Sequence, residues 1–285
     1  MIPVDRTQPW QQTNWDWRAA MNFILGGAGS GLLIIAAAAP QAVYRWLALS
    51  AVCAVAAGLG FVWLEIGRPW RALHVFLHAR TSWMTRESLV APFVLVLGIA
   101  AAWTLAPVPK ILAALMAAAF LYCQGRMLAA SKGIPAWRQP VVVPLIVFTG
   151  FVEALAIVVL AGAPAFALAA ALAVRSALWH LCRRALVRGG VPQKALDALR
   201  RYFWRLEIAG TIVPFFLLFT PLATVGALLA IGGGWAFKFI LVTRLGINQG
   251  FALTGFPNLG RGAMPMPIKP GWPPASNARS CRSRS

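Results

Sequence analysis

Leu47-Ala-Leu-Ser-Ala-Val-Cys-Ala-Val-Ala-Ala-Gly-Leu-Gly-Phe-Val-Trp-Leu64 is an apolar run of membrane length, and Glu65-Ile-Gly-Arg-Pro-Trp-Arg-Ala-Leu-His74 ends it abruptly. About 20 residues of helix cross a hydrocarbon core of about 30 Å, because each residue rises 1.5 Å. A helix satisfies its own backbone hydrogen bonds in lipid, so it is the natural spanning element for such a run. The run does not alternate in polarity, which excludes the short strands of a membrane barrel. Similar runs recur along the chain. Of its 285 residues 60% are hydrophobic and only 12% charged, where a soluble domain carries about 25% charged residues. The expected fold is an all-α, polytopic membrane bundle of eight transmembrane helices.

The eight spans are read at 19–39, 44–65, 84–105, 109–130, 140–161, 164–183, 203–220 and 222–243. Pro40, Pro69, Pro107, Pro109, Pro135, Pro164, Pro192 and Pro221 fall at or between the boundaries, where proline stops a helix. Tryptophans such as Trp17, Trp46, Trp63, Trp83 and Trp103 cluster near span ends, as interfacial aromatics do. Residues 1–18 form a polar segment without the features of a cleaved signal. Residues 19–243 form the membrane domain. Residues 244–285, rich in Pro, Gly, Ser and Arg, read as an extended or disordered tail.

The formal net charge is +19. Nucleic acid is not the expected partner, because the cations sit in short connections between spans. With the N-terminal side called side A, 24 of the 26 Lys and Arg residues fall on side A, and only Arg45 and Lys110 on side B. The positive-inside rule then places side A, with both termini, in the cytoplasm of a bacterial inner-membrane protein. Cations on that face suit anionic lipid or a docked soluble partner.

Only seven acidic residues are present, and four of them, Glu65, Glu87, Glu153 and Glu207, lie in or at the ends of spans. Carboxylates there are costly and mark sites or pathways. Glu65, Glu87 and Glu207 fall near side A, and Glu153 near mid-depth. The plain alternative is ion pairing: Glu65 with Arg68, Glu87 with Arg86 or Arg80, Glu207 with Arg205 or Arg201. His74 and His78 share one helical face. They suit metal or haem ligation, but an interfacial amphipathic helix over 70–79 is favoured. The four cysteines, Cys53, Cys123, Cys182 and Cys281, form no CxxC pair, so no iron–sulfur cluster and no disulfide framework is expected within the chain. No metal site is expected. The glycine-rich run Gly26-Gly-Ala-Gly-Ser-Gly31 suits close helix packing.

Three stretches, Asn22-Phe-Ile-Leu-Gly-Gly-Ala-Gly-Ser-Gly-Leu-Leu33, Trp63-Leu-Glu-Ile-Gly-Arg-Pro-Trp-Arg-Ala-Leu73 and Ser82-Trp-Met-Thr-Arg-Glu-Ser88, carry a resemblance. The region from Trp17 to about Ala100 resembles the membrane-anchor subunits of the dimethyl sulfoxide reductase family, and more distantly the polysulfide reductase and nitrite reductase anchors. The rest of the chain resembles them in span number and polarity. The resemblance implies an anchor without haem, iron–sulfur cluster or molybdopterin of its own. Such an anchor binds a quinone, menaquinone or ubiquinone, near the face where a four-cluster iron–sulfur subunit docks, and that subunit is wired to a molybdopterin catalytic subunit. The family often has His or Asp where this chain has Glu65, a position tied to quinol binding.

With side A cytoplasmic, the resemblance implies electrons fed into the quinone pool from a cytoplasmic oxidation, as in members that oxidise phenylacetyl-CoA or sulfite. The quinone-binding residues expected on this reading are Asn22, Glu65, Arg68, His74 and Glu87. Glu65 and Glu87 exchange protons, Arg71, His78 and Arg80 face the partner, and Glu153 extends a proton path. The rival expectation is an ion-coupled transporter, although no repeat relates the halves. A third is a purely structural anchor.

Overall fold

In the computed structural model the residues described are 9–65 and 80–249. They form eight helical rods and no named strand. We label them α1 (Trp17–Ala36), α2 (Gln41–Glu65), α3 (Trp83–Thr104), α4 (Pro107–Ala129), α5 (Val142–Leu160), α6 (Phe166–Arg188), α7 and α8 (Ala223–Thr243). The rod α7 is composite: an α-helix Gln193–Glu207, a π-helical turn Ile208–Ile212 and a last turn Val213–Leu217. All rods but α7 are long and apolar enough to cross a bilayer. The protein is a multi-pass helical membrane bundle.

Span ends match the sequence reading within a few residues, except at α6 and α7. α6 runs on to Arg188. α7 begins at Gln193, ten residues before the expected start at 203, because its first half is amphipathic. Ala195, Leu199, Phe203 and Glu207 recur every fourth residue and are its buried face, so periodicity holds a helix there that hydropathy alone does not detect. The outward faces are apolar: Trp103 is 84% exposed and Phe166 75%. Exposed apolar surface all round is what lipid contact requires.

The core of the bundle is built around α1, the most buried span. Its glycines explain why it can sit there. A Cβ on Gly26 would lie 2.7 Å from Gln124 Nε2 on α4, one on Gly27 2.5 Å from Lys238 Nζ on α8, and one on Gly29 2.6 Å from the Ala51 carbonyl on α2. A Cβ on Gly31 would run into the Gly150 carbonyl on α5. Four glycines of one run thus seat four different helices, which is the close packing read from the sequence. Apolar packing continues beneath: Leu32, Tyr44, Val55, Val94 and Phe120 join α1 to α2, α3 and α4. Towards side A, Phe23, Trp137, Trp179, Phe203 and Leu241 tie α1 to the second half of the chain.

Two rods carry a π-helical turn, Asn22–Gly26 in α1 and Ile208–Ile212 in α7. In α7 the cause is legible. Pro214 has no N–H to offer the Gly210 carbonyl one turn earlier, and Arg175 Nη2 donates to that carbonyl instead. In α1 the Asn22 carbonyl accepts from Gln124 Nε2 at 3.0 Å. Such single π-turns recur at functional sites.

The chain ends of the bundle meet on one face. Gln12 N–H donates to the Gly246 carbonyl at 2.9 Å, and Asn248 N–H to the Trp10 carbonyl at 2.9 Å. Leu245 and Ile247 are buried, so residues 244–249 pack against the bundle; the rest of the expected tail lies outside the described residues.

Candidate functional site

The site grows from three span ends that converge near side A. Asp16 caps α1, accepting from the Arg18 N–H at 2.7 Å and pairing with the Arg18 guanidinium at 2.8 Å. That guanidinium holds the Asp16 carboxyl below its usual value. Arg18 Nη1 also donates to the Leu64 carbonyl at 2.8 Å. The clamp fixes the start of α1 against the end of α2, and so positions Glu65. Ser82 caps α3, accepting from the Thr85 N–H at 3.3 Å, and Glu87 follows within the first turns.

Asn22, Glu65 and Glu87 line one cavity of about 30 Å³, with Trp15, Met84 and Met127 among its walls. Asn22 Nδ2 donates to Glu87 Oε1 at 3.2 Å, and Gln124 Nε2 donates to the Asn22 carbonyl behind it. Three buried acceptors, Asn22 Oδ1, Glu65 Oε1 and Gln124 Oε1, have no hydrogen-bond partner among the described residues. Unpaired buried acceptors are costly, so they mark where a donor belongs. The present volume suits one or two waters. A ring-sized ligand requires Met84 and Met127 to move, and methionine is the side chain best able to do so.

The ion pairs expected of Glu87 and Glu207 with nearby arginines are not what the structure forms. Neighbours in a helix point about 100° apart, so Glu87 faces inward while the Arg86 guanidinium lies 4.2 Å over the Trp83 ring. Arg80 is exposed, and its carbonyl accepts from Arg86 Nη2 at 2.9 Å. Glu207 accepts from Ser176 Oγ and lies 3.7 Å from His180 Nε2. Arg68, Arg71, His74 and His78 lie outside the described residues, as does the expected interfacial helix over 70–79.

Glu153 is fully buried and receives Lys238 Nζ at 2.6 Å. Beside them Arg175, 5% exposed, donates to Thr211 Oγ1 at 2.8 Å. The sequence reading grouped Lys238 and Arg175 with the loop cations of side A; both are buried within spans. Their signal was available: each is a lone cation within an apolar stretch, broken only by Ser176, in Ala-Phe-Lys238-Phe-Ile and Ala-Val-Arg175-Ser-Ala. Such cations are expected to pair inside a bundle. Gln124 was also missed, and a single amide in an apolar span gives little signal.

No family model and no curated protein matches the chain.

Proposed function

We propose that the protein is the membrane anchor of an oxidoreductase complex and carries its quinone site between α1, α2 and α3. The observation that carries this reading is the meeting of Asn22, Glu65 and Glu87 around one cavity with unpaired buried acceptors. The three sequence stretches that resemble the dimethyl sulfoxide reductase-type anchors supply these same residues. In this reading side A is cytoplasmic. A four-cluster iron–sulfur subunit docks there and draws electrons from a molybdopterin subunit.

Reduction of a quinone consumes two electrons and two protons and leaves a hydroquinone. The partner supplies the electrons. Glu65 and Glu87 deliver the protons to the two ring oxygens, since each carboxyl is within the cavity wall and can hold a proton away from bulk water. Asn22 orients Glu87 through its amide. The hydroquinone hydroxyls then donate to the unpaired acceptors, which a water shell would otherwise have to satisfy.

The experiment is purification of the tagged full chain from its native membrane in mild detergent, with mass spectrometry and assay of molybdenum and iron. Co-purifying iron–sulfur and molybdopterin proteins support the anchor reading. A partnerless, metal-free protein in repeated preparations contradicts it. In that case the buried Glu153–Lys238 pair favours the second reading, an ion-coupled carrier, for which such pairs are typical.

A further inference from the structure

The buried polar groups do not stop at the cavity. Gln124 Oε1 and Lys238 Nζ reach the same gap beside Gly27: a Cβ there would lie 3.3 Å from the first and 2.5 Å from the second. Lys238 binds Glu153. Among the described residues Glu153 Oε1 has no hydrogen-bond partner, and neither do Arg175 Nη1 and Glu207 Oε2. Glu207 leads on to Ser176 and His180. His180 is 39% exposed and packs on the rings of Phe203 and Trp204. Those rings line a groove of about 360 Å³ whose rim carries Arg183 and Arg200.

The direction of this series is informative. Glu153 lies eleven residues from the side A end of α5, roughly 16 Å in at 1.5 Å per residue. From there the groups turn back through α6 and α7 towards side A, where the groove opens. One end is the cavity at Glu65 and Glu87; the other is the groove at His180. Both ends are on the same face.

We infer that α5 to α8 hold a proton-uptake branch that opens on side A at His180, next to the groove lined by Phe203 and Trp204, and runs through Glu207 and Glu153 to the cavity beside Asn22 and Glu87. The delivery end of this inference rests on the quinone reading; the branch itself does not. A proton taken up by His180 passes to Glu207 and then to Glu153. Arg175 cannot relay it, because a guanidinium does not give up its proton in proteins. The step between the two carboxylates therefore uses water. A cavity of about 10 Å³, lined by Arg175, Trp179, Thr211 and Gly233, lies at the Arg175 guanidinium, and that is room for one water molecule. Arg175 is a positioning residue that holds the carboxylates and the water in place. From Glu153 the proton moves by way of Lys238 and water in the cavity lined by Asn22 and Glu87; the Gln124 and Asn22 amides position that water and give up no proton. A docked partner covering the Glu65 end would leave His180 as the open inlet.

The test is infrared spectroscopy of the full-length protein in liposomes. Glu153→Gln, made together with Lys238→Met so that the buried charge stays balanced, identifies the Glu153 carboxyl band. The inference predicts that, after a downward jump in pH, the protonated Glu153 band grows in at least tenfold more slowly in Glu207→Gln and in His180→Phe than in the wild type. Growth as fast in both variants, or no protonated Glu153 band after the jump, overturns the branch. Binding of a quinone analogue is measured in the same preparations. Binding retained with unchanged growth removes the branch and leaves the quinone site standing; slowed growth without binding supports the branch and removes the quinone site.

Discussion

At the scale of single residues, Glu153 and Lys238 are the most exacting pair in the molecule, since both are fully buried at 2.6 Å. Removing one partner strands a charge in a medium that cannot solvate it, which costs about 3–5 kcal/mol. Lys238→Met alone is therefore expected to lower the thermal midpoint in detergent sharply, and Lys238→Met with Glu153→Gln to restore most of it. Equal loss in the single and double variants would show that the pair is not coupled. Asp16 makes a milder prediction. Asp16→Ala removes the cap of α1 and is expected to cost about 0.5–2 kcal/mol. Because the folded carboxyl titrates below its usual value of 3.8, the cap's contribution is complete above that value. It fades as pH falls through the lowered one. The stability difference between wild type and Asp16→Ala, followed in an acid titration, should shrink in that order.

At the scale of helices, the glycine run of α1 gives a graded test. Gly31 meets the α5 backbone at Gly150, whereas a Cβ on Gly60 in α2 meets nothing within 4 Å. Gly31→Ala is expected to destabilise by about 1–3 kcal/mol through overpacking. Gly60→Ala is expected to be neutral or to stabilise by up to about 1 kcal/mol, as alanine favours the helix. Thermal unfolding of the two variants side by side checks the contrast. Most rods were legible because apolar length and proline punctuation act locally. The first half of α7 was not, because it pairs four buried positions with a polar face and so lacks a continuous apolar run. At the candidate site, Asn22, Glu65 and Glu87 were legible because polar groups at span ends stand out against apolar sequence. The place of Arg175 and Lys238 within spans was legible too, but their partners, Thr211 and Glu153, were not, because these come from other rods and only the packed bundle brings them together.

At the scale of the whole molecule, an even number of rods and the bridge between residues 10–12 and 246–248 put both ends of the bundle on one face. Charge asymmetry makes that face the cytoplasmic one in our reading. The two cations assigned to side B have local roles: Arg45 Nε donates to the Ala102 carbonyl at 3.2 Å, and Lys110 Nζ lies 4.1 Å over the Tyr44 ring. Cysteines introduced at Thr104 and Ala163 should react with an impermeant thiol reagent added to intact cells. Cysteines at Lys132 and Gly190 should react only after the membrane is opened. The reverse pattern would invert the topology and put the proposed quinone site on the opposite face.

The central claim is that a quinone head group occupies the space between Asn22, Glu65 and Glu87. Its most direct test is photo-crosslinking of the full-length protein in liposomes with a photoreactive quinone, followed by peptide mapping and competition with unlabelled quinone. The account predicts competable labelling on α1, α2 and α3 around Phe23, Val62, Met84 and Met127 of the cavity wall, the last reached from α4, and at least tenfold less labelling in Glu65→Gln with Glu87→Gln. Competable labelling confined to other surfaces, or none at all, would contradict it.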